Sequence, residues 1–222
     1  MNDARNILQF WFGTLPTTRS QLQERMPFWF GSDEPEELQA LTDQEIATRF
    51  TPDVQRALSG QLNGWADSPR RRLALILLLD QFPRNIYRGT AAAFSGDSKA
   101  MPLAIEGLQH GADATLDPIE RIFFYMPLQH AESREIQDES VAAFRRLADE
   151  APPQLHGTFQ DVLRFAEKHR DIIQEFGRFP HRNEILNRPS TSIETEYLRR
   201  GAPSFGATVH SRNTSHHGNT SK

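Results

Sequence analysis

The chain has 222 residues, 29 acidic against 25 basic side chains, a net charge of −4 and no cysteine. That balance excludes a general nucleic-acid surface, which needs excess basic charge to replace counterions. The missing cysteines exclude disulfides, thiolate metal sites and cysteine nucleophiles, and they favour the cytoplasm.

Helical periods dominate from the start, with no run of alternating strand pattern. Asp3 caps a first helix with Ile7, Leu8, Trp11 and Phe12 inward, and Gly13 stops it. The opening MNDARNILQFWFG lacks a basic n-region and a small-residue cleavage site, so no export signal is expected. Residues 17–33 predict a second short helix broken at Pro27, and residues 43–60 two further helical pieces. Ser68 and Pro69 then open a strong helix that Pro83 ends or kinks. Its apolar run, Leu73 to Phe82, contains Asp80 and falls far short of the roughly 20 residues of a membrane span. It therefore reads as a buried core helix, and no membrane partner is expected.

Asp97 caps the next helix, which closes at Gly111, and Asp117-Pro118 opens another that Pro127 interrupts. Residues 133–150 follow with Ile136, Val141, Phe144 and Leu147 as the apolar stripe. The last long helix covers residues 155–176 and stops at Gly177. Ser190 or Thr191, with Glu194 behind it, starts a short helix in a capping-box pattern. From residue 203 the text turns to Ser, Thr, Asn, Gly and His, which predicts a disordered tail over 203–222. The fold class is thus all-α, antiparallel helical hairpins in one domain over residues 1–202.

Three stretches carry chemistry. In LLLDQFPRNIYRG, Asp80 falls on a buried face and needs a partner, and Arg84 four residues on can supply it. In IFFYMPLQHAESREIQ, Tyr125, His130 and Glu132 surround the second proline break. His130 sits between two helices, where it can be a general base or simply bond a carbonyl. In HRDIIQEFGRFPHRNEIL, His169 lies on the long helix, and Arg178, His181, Arg182 and Asn183 follow its end. DQFPRN and GRFPHRN echo each other: a Phe-Pro pair followed by arginine and asparagine, each after a long apolar helix. If the two turns meet, Arg84, Asn85, Arg88, Arg178, Arg182 and Asn183 surround Asp80 with donors for a carboxylate or phosphate. The alternative is a buried polar network that locks helix packing.

These three stretches together resemble the bacterial domain-of-unknown-function 924 family, DUF924, over roughly Trp65 to Leu198. The resemblance implies an all-α fold similar to tetratricopeptide-repeat proteins, and no settled activity. It also implies that the polar residues just named match family motif positions, together with Gln81 and Asp97.

The leading expectation is a cytoplasmic helical protein whose composite pocket binds a small anionic ligand or the acidic end of a peptide. Asp80, Arg84, Asn85, Arg88, Tyr125, His169, Arg178, Arg182 and Asn183 would form that pocket. A second reading is an enzyme with His130 or His181 as acid–base group and Glu132 or Asp80 setting its tautomer. A third is a protein–protein scaffold gripping a partner on stacked helices. No cofactor is predicted, because no Gly-rich dinucleotide turn or phosphate loop is present. No HExxH spacing occurs and no metal site is assigned, although His130, His169, His181 and a carboxylate leave a metal ion open.

Overall fold

The computed structural model describes residues 2–15, 19–30, 36–203 and 205, and these form helices joined by turns and irregular segments, with no strand. The predicted tail falls almost wholly outside them, as do the ends of the predicted second helix. The helices are α1 (Ala4–Phe12), α2 (Arg19–Phe30), α3 (Glu36–Leu58), α4 (Pro69–Ile76), α5 (Phe82–Ile86), α6 (Asp97–Gln109), α7 (Pro118–Gln129), α8 (Arg134–Asp149), α9 (His156–Phe176) and α10 (Ser192–Arg199). Short turns join α7 to α8 and α8 to α9, and these neighbours pack lengthwise as hairpins. The earlier helices pack crosswise around α4, which meets α1, α6 and α7.

Local sequence explains most boundaries. Asp3 accepts the Asn6 amide at 2.8 Å, Ser133 the Ile136 amide at 3.3 Å, and Thr191 forms a capping box with Glu194. Gly177 stops α9 in the left-handed region at φ 71°. Internal prolines stopped less than expected. Pro27, Pro52 and Pro127 lie inside α2, α3 and α7, so residues 43–60 hold one long helix where two pieces were predicted. Asp97 is the first residue of α6 and Gly96 its cap, in place of the predicted Asp97 cap.

Pro83 does not end the helix. The chain stays helical through it by opening one π turn, Leu77–Gln81, between α4 and α5. The reason is local. Proline has no N–H for the carbonyl four residues back, and its ring presses on that carbonyl. Shifting to a five-residue bond, Phe82 N–H to the Leu77 carbonyl, relieves both. The Asp80 carbonyl then accepts from Arg84 Nη1 at 2.6 Å. Gly96 packs directly on the Leu79 carbonyl, where any Cβ would collide with backbone, and this brings the start of α6 against the π turn.

Leu73 to Leu79 are all at most 1 % exposed, as a helix apolar on every side requires. Phe82 joins the main aromatic core beside Trp11 and Phe50, with ring centroids 5.3 Å and 4.8 Å away. Phe179 belongs to a separate small core with Ile172 and Ile173. The two Phe-Pro turns therefore anchor in different hydrophobic clusters.

Candidate functional site

The π turn aims Asp80 into the protein, where it is fully buried. Three groups meet it. Its Oδ1 lies 2.7 Å from His130 Nδ1, Arg84 Nη1 lies 3.3 Å from the same oxygen, and the Gln81 amide donates to Oδ2. Burial alone would raise the Asp80 carboxyl, but the Arg84 guanidinium and His130 outweigh it and hold it well below the usual range. Asp80 is thus a carboxylate and can only accept. It follows that His130 carries its proton on Nδ1.

His130 sits at the C-terminal end of α7. Gln137 donates to the carbonyls on either side, Gln129 at 2.7 Å and Ala131 at 2.8 Å, and so fixes the turn. Burial and the nearby Arg84 push the imidazole below its ordinary pKa, against the pull of Asp80. The neutral ring with Nδ1–H presents a lone pair on Nε2. That nitrogen has no protein partner among the described residues, and the side chain keeps 14 % exposure.

The second Phe-Pro turn reaches the same place through Arg182. Its Nη1 donates to the His130 carbonyl at 3.1 Å. The guanidinium lies between two rings, 4.8 Å from the Phe94 centroid and 4.4 Å from that of Phe179. Arg84 closes the circle by a two-pronged pair with Asp97, at 2.8 Å and 3.0 Å. Arg182 is 3.8 Å from Asp97, and its buried Nε has no partner. Burial and the neighbouring Arg84 lower Arg182 to about 10, which still leaves it charged at neutral pH.

Two more histidines lie behind this group. The His169 ring centroid is 6.4 Å from that of His130, and Phe205 lies 3.8 Å from it on another side. Its Nδ1 is 2.8 Å from the Phe165 carbonyl, so Nδ1 donates there, and the Gln129 amide nitrogen lies against the same ring, 3.1 Å from Nδ1 and 3.5 Å from Nε2. Burial lowers both His169 and His181 to about 3. His181 Nδ1 is sealed without a partner.

The structure thus brings Asp80, Arg84, His130 and Arg182 into contact, with His169 and His181 adjacent. It sends the other candidates elsewhere. Asn85 and Arg88 both bind Asp43 of α3, at 2.8 Å and 2.5 Å. Arg178 grips Glu194 at 2.6 Å and 2.7 Å. Asn183 donates to Ser190 at 3.0 Å and accepts from Arg188 at 3.0 Å. Glu132 pairs with Arg188 at 2.6 Å and accepts the Phe179 amide at 2.9 Å, pinning the second turn without touching His130 or His181. Tyr125 hydrogen-bonds Asp113 at 2.5 Å and Arg121 at 2.9 Å, a separate buried group. Phe94, Phe205 and Gln129 went unnamed in the sequence, since rings and amides in helices look like ordinary packing. Among the described residues, no three His, Cys, Asp or Glu side chains gather in a metal-sized set, and no helix is long and apolar enough to cross a membrane.

The family profile described as "Bacterial protein of unknown function (DUF924)" matches residues 7–202. A solved structure titled as a protein of unknown function, ATU0120, from Agrobacterium tumefaciens superposes with a TM-score of 0.72. The two are 36 % identical, over 89 % of this chain and 97 % of that one. No curated protein matches the sequence.

Proposed function

The chain belongs to the DUF924 family, and from that premise we propose that this member is an enzyme in which His130 is the general base of a small-molecule site. Asp80 holds the imidazole in the Nδ1–H tautomer and stabilises the imidazolium formed when Nε2 takes a proton. Arg182 directs the anionic group of the substrate toward it. The substrate class is a small molecule with a carboxylate or phosphate beside an acidic C–H or O–H bond, or beside a bond that water attacks.

The observation that carries this reading is the 2.7 Å contact of a fully buried carboxylate with His130 Nδ1, while Nε2 stays open. A packing lock would gain nothing from an unpaired imidazole nitrogen. The partnerless Nε of Arg182 supports the anionic substrate.

Reaction with diethyl pyrocarbonate, read by peptide mass spectrometry, tests the base. His130 is expected to be acylated well before His169, which is 3 % exposed. Asp80→Asn, which removes the charge behind the ring, is expected to slow the reaction at His130. Equal rates at His130 and His169, or no change in the variant, would overturn the assignment. A panel of small esters, phosphoesters and 2-oxo acids, run with wild type and His130→Gln, then identifies the reaction.

A further inference from the structure

A cleft of about 470 Å³ lies where α1 and α4 begin, and is lined by Asp3, Ala4, Arg5, Leu8, Trp65, Arg70 and Arg71. Its size falls within the range of small-molecule sites. It is remote from His130 in the chain, because Arg70 and Arg71 open α4 while Asp80 lies in the π turn beyond its end.

The charges in it are unevenly matched. Asp3 is occupied as the cap of α1, accepting the Asn6 amide at 2.8 Å. Arg70 leans on Glu120 at 3.1 Å but keeps a side chain 57 % exposed. Arg5 and Arg71 are exposed and have no acidic partner among the described residues. They differ in this from Arg84, Arg88 and Arg178, which grip carboxylates. The wall between these cations is Trp65, half-buried, with its indole N–H neither bonded nor sealed.

We infer that this cleft binds a phosphate ester of a planar aromatic group, of the nucleoside monophosphate type. Arg5 and Arg71 take the phosphate oxygens in forked contacts, and the ring lies along Trp65. The remaining polar groups of the lining, Asp3 and Arg70, are engaged by the Asn6 amide and Glu120, so bases are distinguished by stacking area, purines above pyrimidines. This site does not rest on the His130 reading and stands or falls separately.

The test uses the full chain and four probes: AMP, UMP, adenosine and inorganic phosphate, with binding followed by calorimetry and tryptophan fluorescence at two salt concentrations. AMP is expected to bind saturably, more tightly than UMP, and at least ten-fold more tightly than adenosine or phosphate alone. Affinity should fall as salt rises. Arg71→Ala and Arg5→Ala, both at exposed positions, are each expected to weaken AMP several-fold without changing the melting temperature of the free protein. Trp65→Phe should abolish the fluorescence response. Absence of saturable AMP binding, binding unchanged in the Arg5→Ala/Arg71→Ala double variant, or phosphate binding as well as AMP would each overturn the inference. His130→Gln serves as control and should bind AMP like wild type; a loss of AMP binding there would move the ligand to the other site and overturn this one.

Discussion

Acidification should destabilise this protein well above the pH at which its carboxylates titrate. The perturbation is a fall from pH 7.5 to pH 5, and the groups that respond are His169 and His181. Both have an ordinary value of 6.5 and are lowered to about 3 by burial in the folded chain. A histidine lowered on folding binds fewer protons folded than unfolded. Its contribution is therefore complete above about pH 6.5 and is lost as the pH falls toward 3. At pH 5 the unfolded imidazoles lie about 1.5 units below their pKa, which is about 2 kcal/mol each, or about 4 kcal/mol together. His130 is lowered too and adds in the same direction. Glu132 and Glu194, lowered in the folded state, are lost only below about pH 4.5 and so lie outside this window. Urea unfolding followed by circular dichroism at half-unit pH steps measures the effect. The expected slope below pH 6 approaches about 2.7 kcal/mol per pH unit, the value for two protons, and His169→Gln should remove one of them. A stability that stays flat between pH 7.5 and pH 5 would refute the claim that these rings are sealed and neutral behind the site.

Arg84→Ala leaves the buried Asp80 and the half-buried Asp97 without their cation, and urea titration should show a loss of about 3–5 kcal/mol. Replacing Asp80 and Arg84 together with leucine should recover part of that loss, because the fully buried charge is then gone and only the half-buried Asp97, 3.8 Å from Arg182, has lost its close partner. Gly96→Ala forces a Cβ into the Leu79 carbonyl and should cost about 1–3 kcal/mol in the same assay, with increased solvent exchange of the π-turn amides. Tyr125→Phe strands the half of the Asp113 carboxylate that it now satisfies and should cost about 1–3 kcal/mol. It should leave His130 reactivity toward diethyl pyrocarbonate unchanged, since Tyr125 belongs to a different buried group.

The all-α class and the caps could be read because they rest on neighbours in the sequence. Asp3, Ser133, Thr191 with Glu194, and Gly177 each act within four residues of their own position. Asp80 and Arg84 were legible as a pair for the same reason, and the apolar run around Asp80 announced its burial. What could not be read was which carboxylate each remaining arginine would meet. Arg88 finds Asp43 across 45 positions and Arg188 finds Glu132 across 56. Nothing in helical periodicity encodes such pairings. The prolines misled for a different reason: a break was expected from each, yet α2, α3 and α7 continue through theirs, as tertiary context can override local propensity. The echo of Phe-Pro turns pointed to a shared location and was silent on roles. Arg84 and Arg182 both reach Asp97, whereas Asn85 and Asn183 serve separate structural bonds.

The distribution of charge favours the proposed base over an arginine clamp. A pocket built to bind an anion through arginine needs guanidinium groups that carboxylates have not already taken. Arg84, Arg88 and Arg178 each hold a carboxylate in two-pronged contact, so an incoming anion would have to displace a fixed partner at close range. Around His130 the formal charges of Asp80, Asp97, Arg84 and Arg182 cancel, and the imidazole is neutral. Such a surrounding does not attract an anion by net field; it tunes one nitrogen. Burial and then Arg84 lower the His130 pKa, while Asp80 pulls the other way and would stabilise the proton on the proposed base. Neutralising Arg84 should therefore raise the His130 pKa, and a titration of the His130 ring resonances in Arg84→Gln should show it. A pKa that falls or stays fixed in that variant would mean that burial alone sets the ring's charge, and the case for a tuned base would fail.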